Sequence, residues 1–277
     1  MPLHVYRATR RILGYLALLV IVLLSLFPLF WIFLTSIKPR SLTFAIPPAW
    51  IFPPTLENYR EVFLYGPFPK YFVNSLIVAL GTTAIALLAG SLAAYAFARF
   101  EFRGSHVIQM AVLIPQIIPP ITIIIPLFVL FRSINMIDRI PSLIFAYLSF
   151  TIPLSIWMMV GFFRDVPREL EEAALIDGAS RWQAMWKVVF PLVTPGLAAT
   201  AILCFIFSWN EFLYAVILTG RNAKTVPVAI TGFITNRDIL WGRIAASGSV
   251  VLLPVLIFAL SVQRYLVRGL SRGAIKG

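Results

Sequence analysis

The sequence predicts an all-α membrane protein with six transmembrane helices, and three observations lead to this fold class. Of the 277 residues, 60% are hydrophobic and only 12% are charged, and the mean hydropathy is +0.90. An average soluble domain has about a quarter of its residues charged. Six stretches with at most one charged residue each are about 20 residues or longer, which is enough to cross a bilayer. None alternates over about ten residues as a transmembrane β-strand would.

The six apolar stretches divide the chain into spans, loops and two short tails. Lipid offers the backbone no hydrogen-bonding partner, so each span is expected to be a helix. The first stretch is too long for the apolar part of a signal peptide and is predicted to be a retained helix. The predicted membrane domain covers residues 12–264, between tails at 1–11 and 265–277, and its spans are residues 12–37, 71–98, 107–131, 140–163, 192–220 and 244–263.

The basic residues indicate how the chain is oriented. The net charge is +12 and the isoelectric point is near 10.3. Lys and Arg lie mostly between the apolar stretches rather than on one face or in one tail, so nucleic-acid binding is not expected. With a cytoplasmic N-terminus, the inside segments carry thirteen basic residues and the outside segments ten. This excess predicts that both termini are cytoplasmic.

The third stretch contains Pro115, Pro119, Pro120 and Pro126. Proline removes a backbone donor and clashes with the preceding turn, so this density is expected to break or kink the helix. Transporters use interrupted helices near their substrate sites. Simple curvature for helix packing explains the prolines equally well.

Polar residues inside the apolar stretches are the candidates for a substrate pathway. Asn210 and Glu211 interrupt the fifth stretch, and an ionisable group within a span is a functional candidate. The flanking aromatic residues Trp209 and Tyr214 could stack on a solute that the polar pair binds by hydrogen bonds. Alternatively, Glu211 lies near the membrane interface or forms a structural pair. Two weaker candidates, more simply explained by interhelical hydrogen bonds, are Asn74 and Gln116.

The loop over residues 164–191 predicts two short helices that meet at a tight turn. Pro167 suits a first helical turn, and the acidic residues after it complement the helix dipole. Gly178 suits a helix end, while Ser180 and Gln183 have capping-box spacing for a second helix, which Pro191 is expected to close. The acidic residues disfavour the negative inner leaflet and favour a groove in a partner protein.

Motifs in this loop resemble the EAA loop of permeases of ATP-binding-cassette (ABC) importers. The matching residues are Glu172-Ala-Ala-Leu-Ile-Asp177-Gly178-Ala and, after a gap, Val188-Val-Phe190-Pro191, where Phe190 replaces the more usual leucine. Further segments are similar to the shorter permease of maltose-type carbohydrate importers. These segments are Phe72-Val-Asn74-Ser-Leu, Trp209-Asn210-Glu211-Phe and the tail Gly269–Gly277.

The resemblance implies a type I ABC-importer permease fold with a cytoplasmic coupling helix that docks on an ATPase subunit. Glu172 would be the acidic contact and Gly178 the turn. The tail residues Gly273, Lys276 and Gly277 would reach the ATPase dimer interface, and Lys38, Arg40 and residues 44–54 would meet the binding protein. The implied coupling residues are Arg168, Glu171, Glu172, Ala173, Ala174, Asp177, Gly178, Ala179 and Arg181.

The resemblance also implies the partners and the location. They are a second permease in a heterodimer, an ATPase dimer, an extracytoplasmic sugar-binding protein and the lipid bilayer of a bacterial inner membrane. The chain lacks the phosphate-binding G-x-x-x-x-G-K-[ST] motif, so ATP and Mg would be held by the ATPase and no cofactor by this chain.

Three alternatives remain open at this stage. A permease for a non-sugar solute such as glycerol phosphate would share the EAA loop. A secondary carrier would need coupling carboxylates in the membrane, and this chain offers only Glu211. A membrane enzyme would need a clustered catalytic set, but the single cysteine and two histidines lack metal-binding spacing.

Overall fold

The computed structural model is helical over most of its length and describes residues 3–236 and 238–273, with side chains for residues 11–236 and 238–261. In the described part of the chain, the only β-pairing is an isolated bridge between Ile234 and Ile239. Two irregular helical turns lie at Arg40–Leu42 (3₁₀) and Met185–Val189 (π). The α-helices are α1 (Leu3–Ser36), α2 (Glu57–Phe63), α3 (Phe68–Arg99), α4 (Ser105–Val112), α5 (Ile114–Ile117), α6 (Pro120–Ser133), α7 (Ile140–Arg164), α8 (Arg168–Ile176), α9 (Arg181–Ala184), α10 (Phe190–Leu192), α11 (Thr194–Asn210), α12 (Leu213–Leu218), α13 (Val226–Thr231) and α14 (Trp241–Gly273).

Within the part of the chain that the structure describes, four helices are long and apolar enough to cross a membrane, namely α1, α3, α7 and α14. Two further helix pairs pass the same test together but are bent, one by 92° between Ile117 and Pro120 and one by 75° between Leu192 and Thr194. When each bent pair counts as one span, the described residues contain six spans. The all-α fold class with six transmembrane helices is therefore confirmed.

The third span breaks where the adjacent prolines predict. Ile118 and Pro119 have extended backbones, with ψ of 134° and 132°, between the end of α5 and the start of α6. A residue before proline is disfavoured in the helical region, and here two such positions follow each other. The chain therefore turns sharply at this point and α6 leaves in a new direction.

The fifth span, expected as one helix over residues 192–220, is interrupted at Glu211. Glu211 has an extended backbone with ψ of 130°. Its carboxylate accepts hydrogen bonds from the backbone N–H groups of Tyr214 (2.8 Å) and Ala215 (3.1 Å). A side chain that caps the following helix competes with continuation of the preceding one. The single charged residue of this stretch therefore ends α11 and starts α12.

The chain divides into two compact units. The first contains Met1–Phe68 and Ile230–Leu253, and the second contains Pro69–Ala229 and Pro254–Gly277. In the first unit, Lys38 is only 2% exposed, and its Nζ lies 4.7 Å from the ring centroid of Trp31. Asn58 Nδ2 donates to the carbonyl oxygen of Lys38 at 3.1 Å. Lys38 was expected to meet a binding protein, but burial gives it a structural role instead.

The core of the second unit forms two hydrophobic clusters, one at each end of α3 and α7. One cluster includes Tyr95, Phe163 and Val189, and the other includes Val78 and Leu143. Close helix approach in this unit depends on glycine, a common device where lipid supplies no hydrophobic driving force. A Cβ on Gly90 would come within 2.4 Å of Ser155 Oγ on α7.

Candidate coupling loop and substrate pathway

The first helix of the loop over residues 164–191 forms as predicted. Helix α8 starts after Pro167 and has Glu169 and Glu171 in its first turn, where they complement the N-terminal end of the helix dipole. The chain then turns at Gly178, whose φ of +86° lies in the left-handed region that favours glycine. This confirms the turn predicted at Gly178.

The second helix starts at the predicted capping box. Ser180 Oγ accepts from the backbone N–H of Gln183 at 3.3 Å, and Gln183 Oε1 accepts from the backbone N–H of Ser180 at 2.9 Å. The helical path continues through the π turn at Met185–Val189 and ends at Leu192, one residue after the predicted closing residue Pro191.

Helix α8 presents an apolar and acidic surface that its own chain leaves uncovered. Six of the nine residues of α8 are exposed. Ile176 is 87% exposed and Leu170 is 44% exposed, and Glu172 and Ala173 are exposed beside them. Exposed apolar residues next to acidic ones, on a helix outside the spans, form a surface suited to a protein partner.

Glu171, the neighbour of Glu172, faces the opposite way. Its Oε2 lies 2.9 Å from Arg99 Nε at the end of α3, and the two side chains are 13% and 5% exposed. Tyr95 donates a hydrogen bond to Glu171 Oε1, and Arg99 Nη2 donates to the carbonyl oxygen of Val166 at 2.9 Å. The sequence did not indicate this cluster, because Tyr95 and Glu171 are 76 residues apart in the chain.

The remaining candidates in the loop lie around α8 and the turn. The guanidinium carbon of Arg181 lies 5.8 Å from the ring centroid of Phe100, which directs this exposed side chain toward the end of α3. Gly273 is the last residue of α14, whereas Lys276 and Gly277 lie outside the described residues. Arg168, Asp177 and Gly178 are exposed, and Ala174 and Ala179 are half-buried.

Two of the substrate-pathway candidates are exposed at helix breaks. Gln116 is an exposed residue of α5, just before the break in the third span. Asn210 is exposed at the last residue of α11, and its Nδ2 donates to the carbonyl oxygen of Ile206 at 2.9 Å. The Asn210 side-chain oxygen is an acceptor, and Gln116 carries both a donor and an acceptor.

Other candidates are packed inside the chain. Trp209 is 2% exposed and its ring lies between Phe72 and Phe205, at centroid distances of 5.6 and 5.7 Å. Tyr214 is also 2% exposed. Asn74 Nδ2 donates to carbonyl oxygens of the segment at residues 222–224. Sequence reasoning grouped these residues with Asn210, but burial separates them from the exposed positions at the breaks.

Asp138 organises the segment at residues 220–223 and was missed by the sequence analysis. Its carboxylate accepts from four successive backbone N–H groups, those of Gly220 (2.8 Å), Arg221 (3.1 Å), Asn222 (3.0 Å) and Ala223 (2.9 Å). Burial raises the pKa of Asp138, but these backbone donors outweigh burial and hold the pKa below its ordinary value. A lone aspartate before a proline-led helix gives no sequence signal for such a contact.

No group of three or more His, Cys, Asp or Glu residues in the described ranges could hold a metal ion. The described residues combine membrane-crossing helices, two of them broken, with an exposed helix–turn–helix in the loop between the fourth and fifth spans. Such a combination is typical of the membrane subunit of a transporter.

The family follows from comparison with known proteins. The chain belongs to the family of binding-protein-dependent transport system inner membrane components, whose model matches residues 86–272. A match over this much of the chain confirms the resemblance found in the sequence and makes the chain an ABC transporter permease in a membrane.

Two relatives and one solved structure illustrate the similarity. The trehalose transport system permease protein SugB of Mycobacterium tuberculosis is 42% identical over 258 residues, 91% of this chain and 93% of the relative. The trehalose/maltose transport system permease protein MalG of Thermococcus litoralis is 37% identical over 273 residues, 97% and 98% of the two chains. A bacterial ABC transporter involved in import of the acidic polysaccharide alginate has a TM-score of 0.76 at 22% identity, over 94% and 97% of the chains. At this identity the structural likeness shows the fold.

Proposed function

We propose that this chain forms one half of the membrane pore of an ATP-driven importer for a sugar, most simply a di- or oligosaccharide delivered by an extracytoplasmic binding protein. The observation that carries this proposal is the uncovered apolar and acidic surface of α8, which lies in the EAA-like segment. Relatives named for trehalose and trehalose/maltose transport support the sugar class.

Helix α8 is the proposed coupling helix. It would dock in a cleft of an ATPase subunit, with Ile176 and Leu170 buried in the cleft and Glu172 paired with a basic residue there. ATP and Mg would be bound by the ATPase dimer, because this chain has no phosphate-binding loop. Closure of the ATPases on ATP would move the coupling helices and switch the pore between its inward- and outward-facing states.

The broken helices are the proposed wall of the sugar pathway. Non-helical backbone at membrane depth is tolerated only where protein or a water-filled cavity satisfies it. If the breaks at Pro119 and Glu211 line a water-filled pore, water can satisfy their non-helical backbone. The exposed amides Gln116 and Asn210 lie next to these breaks. A second permease would complete the pathway as a heterodimer, with both termini of this chain in the cytoplasm and its C-terminal tail toward the ATPase dimer.

The coupling proposal is tested by Glu172→Lys, which reverses the charge on the exposed side of α8. The variant should insert normally but lose the ATPase when the transporter is purified through this chain with its co-expressed partner subunits. Glu101→Lys is the matched control, because Glu101 is exposed in the loop after α3 and outside the proposed docking surface. Retention of the ATPase by Glu172→Lys at the level of the control would remove the coupling assignment.

The substrate class is tested separately by calorimetric titration of the cognate binding protein with trehalose, maltose, longer maltodextrins and glycerol 3-phosphate. Tight binding of one of the sugars, and no heat with glycerol 3-phosphate, is the expected result. Tight binding of glycerol 3-phosphate alone would favour the non-sugar permease and leave the coupling proposal intact.

A further inference from the structure

The ion pair between Arg99 and Glu171 ties α8 to the end of α3. Arg99 Nε and Glu171 Oε2 are 2.9 Å apart, and both side chains are almost fully buried. Each of the two residues also forms a hydrogen bond. Glu171 accepts one from the Tyr95 hydroxyl, and Arg99 donates one to the carbonyl oxygen of Val166. One carboxylate and one guanidinium thus join α3, α8 and the segment that leads into α8.

Burial makes this tie hard to break. Separating a buried ion pair leaves two uncompensated charges in a medium of low dielectric constant, which is strongly unfavourable. By contrast, the chain connections on both sides of α8 are a proline-containing segment and a turn at Gly178. Helix α8 also packs on the π turn and on α9 of its own loop, and the buried ion pair is the charged contact that joins α8 to α3.

The opposite end of α3 is bound just as specifically. Asn74 Nδ2 donates to the carbonyl oxygens of Asn222 at 2.8 Å and Lys224 at 3.0 Å. Ser75 Oγ accepts from the backbone N–H of Val226 at 2.8 Å. Asp138 orders the same segment through the backbone N–H groups of residues 220–223.

Between these two attachments α3 is one uninterrupted helix. It runs from Phe68 to Arg99 with no proline after Pro69, whereas the third and fifth spans are broken. At about 1.5 Å per residue, Asn74 and Arg99 are roughly 37 Å apart along the helix axis. Rigid secondary-structure elements can carry energetic coupling between distant sites.

We propose that α3 and α8 move as one rigid body, so that Arg99 and Glu171 transmit the movement of the coupling helix to the segment at residues 220–226 on the far side of the membrane. This inference rests on the proposed coupling function of α8. Arg99, Tyr95 and Glu171 are positioning residues in this arrangement, because they contact neither sugar nor ATP. Glu171 is then assigned to holding α8, and Glu172 to meeting the ATPase.

The tie itself is tested by hydrogen–deuterium exchange of the purified full-length chain. Arg99→Met removes the guanidinium and keeps an apolar stem, and Glu171→Gln removes only the charge. Both variants should raise amide exchange in residues 168–176 by about tenfold or more, as expected when a local unit loses its buried ionic contact. Arg103→Met is the control, since Arg103 is exposed after the same helix, and it should leave this exchange unchanged.

The rigid body is tested by electron–electron distance measurement in the transporter assembled with its partner subunits. Spin labels are attached at Val73→Cys on α3 and Glu169→Cys on α8, both exposed positions, in a Cys204→Ser background. With Arg99 and Glu171 intact, the distance distribution should be the same without nucleotide and with ATP bound to a hydrolysis-deficient ATPase. With Arg99→Met it should shift or broaden on adding ATP.

The measurements test the rigid body, the ion pair and the coupling function separately. An ATP-dependent distance in the chain with the intact ion pair would overturn the rigid body. Unchanged exchange in both Arg99→Met and Glu171→Gln would overturn the tie, whether or not an ATPase is present. Failure of the unaltered chain to purify with an ATPase would instead refute the proposed coupling function, and the exchange measurement would still decide the tie.

Discussion

Replacing Asp138 with asparagine should loosen the segment at residues 220–223. The carboxylate accepts hydrogen bonds from four backbone N–H groups at 2.8–3.1 Å, and from Asn222 Nδ2 at 3.0 Å. Asparagine has the same shape but only one acceptor oxygen, and its amide NH₂ would point at backbone donors. Because Asn74 binds carbonyl oxygens in the same segment, its contacts should weaken as well.

Each hydrogen bond to a charged group contributes about 1.5–3 kcal/mol, and bonds sharing one carboxylate are not additive. Asp138 is partly exposed, so solvent reduces the total. We expect Asp138→Asn to lower the free energy of unfolding by about 3 kcal/mol, which corresponds to a fall in melting temperature on the order of 10 °C.

The pH dependence separates this contact from a general packing defect. The pKa of Asp138 is lowered in the folded chain, so its contribution is fully present above the unfolded pKa of about 3.9 and is lost as pH falls through the folded value. The difference in melting temperature between the original chain and Asp138→Asn should therefore be constant from about pH 5 to 8 and shrink below about pH 4.

The assay is thermal unfolding in detergent, followed by intrinsic tryptophan fluorescence over a pH series. Asp165→Asn provides the control, because Asp165 is an exposed carboxylate that also borders α7, at its other end. Equal melting temperatures for the original chain and Asp138→Asn at pH 7, or a difference that persists unchanged at pH 3, would refute the reasoning.

Two further predictions concern glycines. Gly178→Ala should reduce recovery of the ATPase in pull-downs about tenfold without preventing insertion. A side chain at φ of +86° costs about 1–2 kcal/mol and shifts the turn after α8. Unchanged recovery would show that the turn tolerates a side chain. Gly196→Ala should lower the melting temperature sharply, since a Cβ would come within 2.3 Å of the Phe162 ring, whereas Gly161→Ala, with nothing within 4 Å, should not. Similar melting temperatures for these two variants would contradict the close packing of α7 and α11.

In the coupling loop, local sequence rules predicted most of the secondary structure. The helix after Pro167, the turn at Gly178 and the capping box at Ser180 were all predicted, because each depends on residues within one or two turns. The following helix ends at Leu192, one residue after the predicted Pro191. Local patterns did not indicate the π turn at Met185–Val189, whose buried residues Met185 and Val189 pack against α3 and α7.

For the substrate-pathway candidates, the sequence did not predict which side chains are buried and which are exposed. Composition identified Trp209, Asn210, Glu211 and Tyr214 as one group, since all four lie in the only apolar stretch with a charge. Their roles diverge in the folded chain, where two are buried, Glu211 caps a helix and Asn210 is exposed. Side-chain direction around a helix break depends on tertiary contacts, so adjacent residues in the sequence do not share an environment.

The sequence by itself determined that this protein is a six-span helical permease with an EAA-like loop. Span length and polarity are set by the bilayer, and the loop's turn and caps are set by neighbouring residues. Only the tertiary structure decided that Glu171 is held by Arg99, that Lys38 is buried, and that Asp138 orders a segment more than 80 positions later. These are contacts between distant charged or polar groups, whose strength depends on burial, and burial exists only after the helices have packed.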